Sequence, residues 1–503
     1  MAKVMDMPRV GIDDDFRKLG GDSIQMMTMQ TLCAESELQQ LRGISTSVIY
    51  QGCTPREMAR MLAQTQPKVK VQMDDYPLSV GQMGYFNACM KNGDEPVANI
   101  PILYRVPNQV DLGRLIAAIE QAVDNHPAFS TRLFVTDSGE PRQKTIAEPF
   151  HIVVEQMDAD HFEAERKKLI QPYRMLGEPL FRIRLFEVAD LDTTAVRHYL
   201  FIDANHILFD GTSRRIFYRD IDRAYRGLPL EAEDWTLGEM AADECSLRQG
   251  GAMAEARDWF RRSFDKDRLV PPVTGEVESE RKPFDLKLSY SEVERYCQKE
   301  GVTMNAITTA AFMLTLGGYA DTEDVTILTA FNGREDARTR NTVGYFATNL
   351  PVRAHWKSGM AASAFVHQVG QALVDSMAHS LFCFGDVVGE WGCYPAYQFI
   401  CQGELTGELS VDGIGLEEIP SEDKRVFSLF EFQLFFDKPA DGFRLIGIFS
   451  PQTFSDGYIR RWTERYTANL KGLMTAPTVG QAIADVPGDE KFAIVSRQAA
   501  SQS

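Results

Sequence analysis

Leu112, Leu115, Ile116, Ile119 and Val123 recur at the three- and four-residue steps of a helix, and Asp111 stands in front of them where the first free amides need an acceptor. An amphipathic helix is predicted there. Farther on the period changes. Residues 199–204 are a short apolar run of strand formers, while Ser213, Phe217 and Ile221 stack four apart in a helix over 212–225, which leaves 205–211 as a strand-to-helix loop. The second half repeats the alternation, with a helix over 305–316, strands over 325–330 and 443–449, and a last helix carrying Ile459, Trp462, Tyr466, Leu470 and Leu473. Two stretches break the pattern: a polar one over 64–75, and 265–283, where Pro271, Pro272 and Gly275 sit among charges. The prediction is an α/β (α+β) chain with a first unit at 1–64, a linker at 65–75, two lobes at 76–270 and 271–490, and a disordered tail at 491–503 whose last residues, 497–503, are polar.

At 503 residues, 44% hydrophobic and 25% charged, the chain has enough length for several cores. Its 53 Lys and Arg against 71 Asp and Glu leave a net charge of -18, which repels phosphate backbones and anionic lipid, so no nucleic acid and no membrane are expected as partners. No apolar run approaches the roughly 20 residues of a membrane span, and the amino terminus has no basic-then-apolar signal pattern. A cytoplasmic monomer is expected. The eight cysteines are scattered without a CxxC pair and read as reduced packing thiols, and the eight histidines show no HExxH or other close zinc spacing, so no metal is expected.

Two short runs carry chemistry. In Leu19-Gly-Gly-Asp-Ser23-Ile a serine follows two glycines and an aspartate where Ile24, Met27 and Thr31 begin a helical stripe. Free amides and the positive end of the helix dipole favour a phosphate on that serine oxygen by roughly 0.3–1 kcal/mol. Taken alone, the run also describes a plain helix cap. In Ile202-Asp-Ala-Asn-His206-Ile-Leu-Phe-Asp210-Gly211 a histidine sits between a strand and a helix, placed to aim an imidazole into a cleft. An imidazole with a pKa near 6.5 can accept or share a proton at neutral pH, as activation of an amine nucleophile requires. Asp210 is expected to pair with a buried cation, and Gly211 to permit a backbone shape that other residues resist. Taken alone, this loop also fits a hydrogen-bonded core histidine.

The run Asp13-Asp-Asp-Phe-Arg-Lys-Leu-Gly-Gly-Asp-Ser23-Ile, a following helix, a Ser/Thr-rich loop and Thr54-Pro55-Arg-Glu-Met-Ala-Arg-Met-Leu together resemble a peptidyl carrier protein. Tyr76-Pro-Leu-Ser-Val-Gly-Gln-Met-Gly-Tyr-Phe, Asn125-His-Pro-Ala-Phe-Ser-Thr-Arg-Leu-Phe, the histidine loop and Val343-Gly-Tyr-Phe-Ala-Thr-Asn-Leu-Pro-Val-Arg resemble, in this order, the core motifs of nonribosomal peptide synthetase condensation domains. The resemblance implies a helical-bundle carrier followed by a two-lobed, chloramphenicol-acetyltransferase-like domain. It implies 4'-phosphopantetheine on Ser23, attached by a phosphopantetheinyl transferase, and His206 as the catalytic residue with Asp210 and Gly211. It further implies Asn205 and Arg334 as structural support, Arg334 being the expected partner of Asp210. An upstream adenylation domain and a downstream acceptor carrier protein are the implied partners.

The motifs also depart from the family. Asn205 occupies the first position of its paired histidines, Thr348-Asn349 reverses the usual Asn-Thr, and Met377-Ala-His-Ser-Leu-Phe-Cys-Phe is a loose version of the next motif. Asp22 before the serine is common ahead of epimerisation domains. The leading expectation is amide formation with an acceptor amine. Epimerisation, ester formation and a non-catalytic carrier-binding platform are the alternatives. His126 is read as structural, and the pair Arg214-Arg215 as solvated charge on a helix.

Overall fold

The computed structural model describes residues 72–93, 95–189, 196–273, 279–334, 336–404, 409–419 and 430–492, together with 54–64, 70 and scattered positions before 54. In the first half, the predicted strand is the centre of a five-stranded sheet. Its order is Glu417–Ile419, Asn99–Val106, Val196–Asn205, Phe181–Ala189 and Val154–Asp158. Residues 200–205 are buried without alternation because both faces of the sheet are covered. Leu200, Ile202 and Ala204 face the helices Leu112–Asn125 and Gly211–Tyr225, while Phe201 meets Phe162 of Ala159–Arg166 on the other side. Asp111 caps the predicted helix, accepting the Arg114 amide at 2.9 Å.

The second half is built on a six-stranded sheet ordered Thr348–His355, Asp324–Phe331, Tyr397–Glu404, Phe430–Asp437, Gly442–Phe449 and Glu280–Leu286. Against it lies Met304–Ala320, which is buried on every side. Its threonines satisfy themselves: Thr308 and Thr315 donate to the carbonyls of Met304 and Ala311 at 2.7 Å. Ile459, Trp462, Tyr466, Leu470 and Leu473 of Asp456–Thr475 are all buried, and Trp462 stacks on Phe432 at 4.2 Å. One boundary differs from expectation: the stretch predicted to be irregular through Pro283 already contains the start of Glu280–Leu286. That strand is at the sheet's edge, where a residue without an amide donor costs no ladder bond.

Chain order and sheet membership part company at 409–419. This segment follows the second sheet's strand Tyr397–Glu404, yet Leu409, Val411 and Leu416 are buried in the first half's core. Glu417–Ile419 then pairs antiparallel with Asn99–Val106, Ile419 opposite Leu103. Arg214 donates to Glu418 at 3.0 Å and Arg105 pairs with Glu417, so the crossing is held by charge as well as by apolar burial. Val343 enters the same core from the second half.

Before residue 72, Phe16, Met29, Ile44, Ile49 and Met58 form a small buried cluster against which Met377 packs. Thr54 accepts the Glu57 amide and Pro55 opens the helix Pro55–Gln64, as the Thr-Pro pair predicts. Ser23, the expected attachment point, lies outside the described residues, as does the stripe of Ile24, Met27 and Thr31. Among the described residues no helix is long and apolar enough to cross a membrane.

Candidate active site

The loop after Val196–Asn205 is shaped by what its apolar residues bury. Ile207, Leu208 and Phe209 are at most 2% exposed and anchor the loop in two cores, while His206 before them stays half-buried. Three further bonds fix the turn. The His206 amide donates to Ala98 O at 2.7 Å, the Ile207 amide to Asn205 Oδ1 at 3.0 Å, and buried Gln82 Nε2 to Ile207 O at 3.3 Å.

Asp210 ends the loop with two tasks. Its Oδ1 accepts the Ser213 amide at 2.7 Å and so caps Gly211–Tyr225. Both its oxygens also accept from Arg334 Nη2, at 3.1 and 3.3 Å, in a site nearly closed to solvent. Arg334 donates in addition to the carbonyls of Thr339 and Thr342, at 2.8 and 2.7 Å, and to Ser213 Oγ at 2.9 Å. Burial pulls the guanidinium's pKa down, against the pull of Asp210. The pair joins the two halves, and the Phe346 amide donates to Asp210 Oδ2 at 3.1 Å. Preceding Arg334 is Gly333, whose φ of +62° and approach to Phe346 require glycine: a Cβ would lie 1.7 Å from the Phe346 carbonyl oxygen.

Gly211 corrects the sequence reading. Its φ is not in the left-handed region, and its backbone is that of a helix start, so the position demands no special shape. A Cβ there would meet nothing within 4 Å, so the glycine leaves open space beside the histidine loop.

Two tyrosines not singled out in the sequence complete the surroundings of His206. Tyr85 of Val80–Lys91 stacks on the imidazole with ring centroids 4.8 Å apart and planes at 17°. Tyr345 stands edge-on to it at 5.3 Å and 89°. Gly81, one turn before Tyr85, makes this possible, since a Cβ there would come within 2.6 Å of the Tyr345 ring. Both tyrosines follow a glycine in Gly-Tyr-Phe, a repeated local signal in the two motifs that flank the site in sequence.

With this geometry in place, residues 72–493 match the family model described as the condensation domain. The chain belongs to the condensation-domain family. Domains of this family form peptide bonds by acyl transfer. Surfactin synthase subunit 1 of Bacillus subtilis (strain 168) is 22% identical over 503 residues, covering 95% of this chain and 14% of that protein. Tyrocidine synthase 3 of Brevibacillus parabrevis is 24% identical over 414 residues, covering 77% of this chain and 6% of that protein. The chain therefore spans a small fraction of these synthetases. Among solved structures, the first condensation domain of the CDA synthetase superposes with a TM-score of 0.64 at 19% identity, covering 82% of this chain and 99% of that one. An X-domain in complex with OxyB from teicoplanin biosynthesis gives 0.66 at 18%, covering 82% and 97%. The fold is thus the mixed α/β architecture of condensation domains.

Within this condensation domain the motif departures have definite surroundings. Asn205 is buried, with Nδ2 toward the sulfurs of Cys89 and Met175 at 3.7 and 3.8 Å, and it holds the turn through Oδ1. Asn349 accepts from Gln398 at 3.2 Å on the second sheet. His379 of the loose motif stacks on Trp259 at 4.2 Å. His126 is fully buried between Glu233 Oε1 at 2.8 Å and Asp220 Oδ2 at 3.0 Å. Burial lowers its pKa, and the two carboxyl groups raise it by more. Since Glu233 Oε1 also accepts the Val343 amide at 2.9 Å, His126 supports the segment that carries Tyr345. Arg214 is not solvated charge: besides Glu418 it reaches the Tyr104 hydroxyl at 3.2 Å.

Asp203, three residues before His206, is fully buried and accepts from Asn99 at 2.7 Å, while its Oδ1 has no partner among the described residues. Burial pushes its pKa up to about 6, with Arg182 and Asn99 pulling the other way. The folded form therefore holds this proton to higher pH than the unfolded chain, which releases it near pH 4. Stability contributed at low pH is lost as pH rises through about 4 to 6. Asp203→Asn is expected to stabilise the domain at pH 7.5 by on the order of 2 kcal/mol, with the gain shrinking toward pH 4.5. Thermal unfolding across that range checks it, and an equal gain at both ends would contradict the assignment.

Proposed function

We propose that the chain joins an acyl donor, held as a thioester on 4'-phosphopantetheine at Ser23, to an amine carried by a downstream acceptor carrier protein. The observation that carries this reading is His206, presented on an anchored loop where the two halves meet. His206 orients the acceptor amine and takes its proton as the nitrogen attacks the thioester carbonyl. A C–N bond forms, the C–S bond breaks, and the proton leaves with the thiol. Asp210 and Arg334 hold the loop, and the open space at Gly211 leaves room for a slender arm.

The carrier reading of residues 1–64 rests on the Gly-Gly-Asp-Ser23 motif. It is supported by the Bacillus subtilis match, whose 95% coverage reaches well before residue 72. Attachment of the arm by a phosphopantetheinyl transferase, loading by an upstream adenylation domain and acceptance by a downstream carrier follow from the same reading. A platform reading keeps one observation in its favour, the likeness to the X-domain bound to OxyB. The buried Asp210–Arg334 pair that closes the loop carrying His206 favours catalysis.

Intact mass spectrometry tests the proposal. The full chain is incubated with a phosphopantetheinyl transferase and an aminoacyl coenzyme A, then mixed with an acceptor-loaded carrier. Wild type is expected to gain the arm and pass its acyl group to the acceptor amine, and Ser23→Ala to gain nothing. An unmodified wild type sinks the carrier assignment. Loading followed only by inversion of the donor's configuration, read by chiral chromatography of the hydrolysed acyl group, turns the reading to an epimerase, and loading with no further change turns it to a platform.

A further inference from the structure

We propose that Tyr85 is a positioning residue for His206: its ring face holds the imidazole in register and favours the imidazolium that forms when a proton is taken up. The inference deepens the reading of His206 as the proton acceptor and rests on it. Three rings from three separate elements meet here. Tyr85 comes from Val80–Lys91, His206 from its loop and Tyr345 from the segment after Val343. Tyr345 stands at 85° to Tyr85 with centroids 4.9 Å apart, so it buttresses both of the other rings.

The helix bearing Tyr85 is tied to the loop bearing His206. Ser79 and Gln82 form its capping box, and Gln82 also donates to the Ile207 carbonyl. A shift of the loop therefore carries the imidazole out of register with the phenol. Parallel stacking puts the electron-rich face of Tyr85 against the imidazole, and a cation over such a face is stabilised. Because the positive charge develops as the amine gives up its proton, the interaction strengthens along the reaction rather than in the ground state.

Three titratable neighbours are held by their own surroundings. On its own loop, Asp210 spends its charge on Arg334. From the segment after Val343, Tyr345 has its pKa raised by burial, with Tyr85 and Asp210 adding to the rise, and stays neutral. From the helix, the Cys89 thiol beside Asn205 is also raised by burial.

The test titrates the His206 ring by NMR in the full chain, with the resonance assigned from its loss in His206→Asn. Removing the ring face in Tyr85→Leu is expected to lower the His206 pKa by about half a unit to one unit. The acid limb of the pH–rate profile for amide formation should move to lower pH by the same amount, with kcat falling about three- to tenfold and KM little changed. Tyr85→Phe, which keeps the face, should recover most of both changes. A leucine variant that titrates like wild type overturns the proposal, whatever its activity. Should Tyr85→Leu not fold, Tyr85→Met is read the same way. Full turnover in His206→Ala would instead overturn the underlying reading, while the ring titration would still judge the stacking.

Discussion

Arg334→Ala is expected to destabilise the domain by about 3–5 kcal/mol, because it removes one member of a buried ion pair and leaves the other charged and enclosed. The Asp210 carboxylate is in a side chain only 4% exposed, and without the guanidinium it keeps the Ser213 and Phe346 amides and the Ser213 hydroxyl but no counter-charge. The carbonyls of Thr339 and Thr342 lose their donor at the same stroke. Lysine should rescue little, since one ammonium cannot reproduce a planar fork that serves the carboxylate through one nitrogen and two carbonyls through another. The double variant Asp210→Asn with Arg334→Met should be more stable than Arg334→Ala, because no unpaired buried charge remains. Urea midpoints of the three variants decide the matter. A loss under about 1 kcal/mol for Arg334→Ala would mean that water reaches Asp210 and that the pair does not join the halves.

Elements with a strong local signal were legible along the chain. The helix after Asp111 has both a cap and a stripe, and the strand at 199–204 is bounded by a loop with its own turn chemistry. The carboxylate of Asp210 needed a cation, and the family resemblance supplied Arg334, which the fold brings beside it from 124 residues away. What was not legible depends on long-range placement. Leu409, Val411 and Leu416 would read as the same apolar run in either half, since nothing local says which sheet receives them. Tyr85 and Tyr345 read as ordinary motif aromatics until two distant segments bring their rings to one imidazole. Gly211 illustrates the opposite error: the expected special backbone shape is absent, its conformation being that of a helix start, and a Cβ there would meet nothing within 4 Å. Gly333, just before Arg334, is where the left-handed backbone and the close carbonyl are found.

The same geometry separates loss of function from loss of fold. His206→Ala is expected to lower amide-forming turnover by about 10²–10⁴, the range for a positioned proton acceptor. Stability should change by no more than about 1 kcal/mol, because the imidazole is half-buried and the loop's anchors are its neighbours. Ile207, Leu208 and Phe209 keep their burial, and the bonds that set the turn run through the His206 backbone, Asn205 and Gln82, none of which the substitution removes. Asn205→His should change turnover far less, since position 205 faces two sulfurs in the interior and its task is to hold the turn. Single-turnover transfer from a loaded donor to an acceptor amine, read beside a urea midpoint for each variant, tells the roles apart. Unchanged transfer in His206→Ala would make the domain a binding platform. Lost transfer with a collapsed midpoint would make His206 a structural residue, and lost transfer with an intact midpoint assigns it the proton.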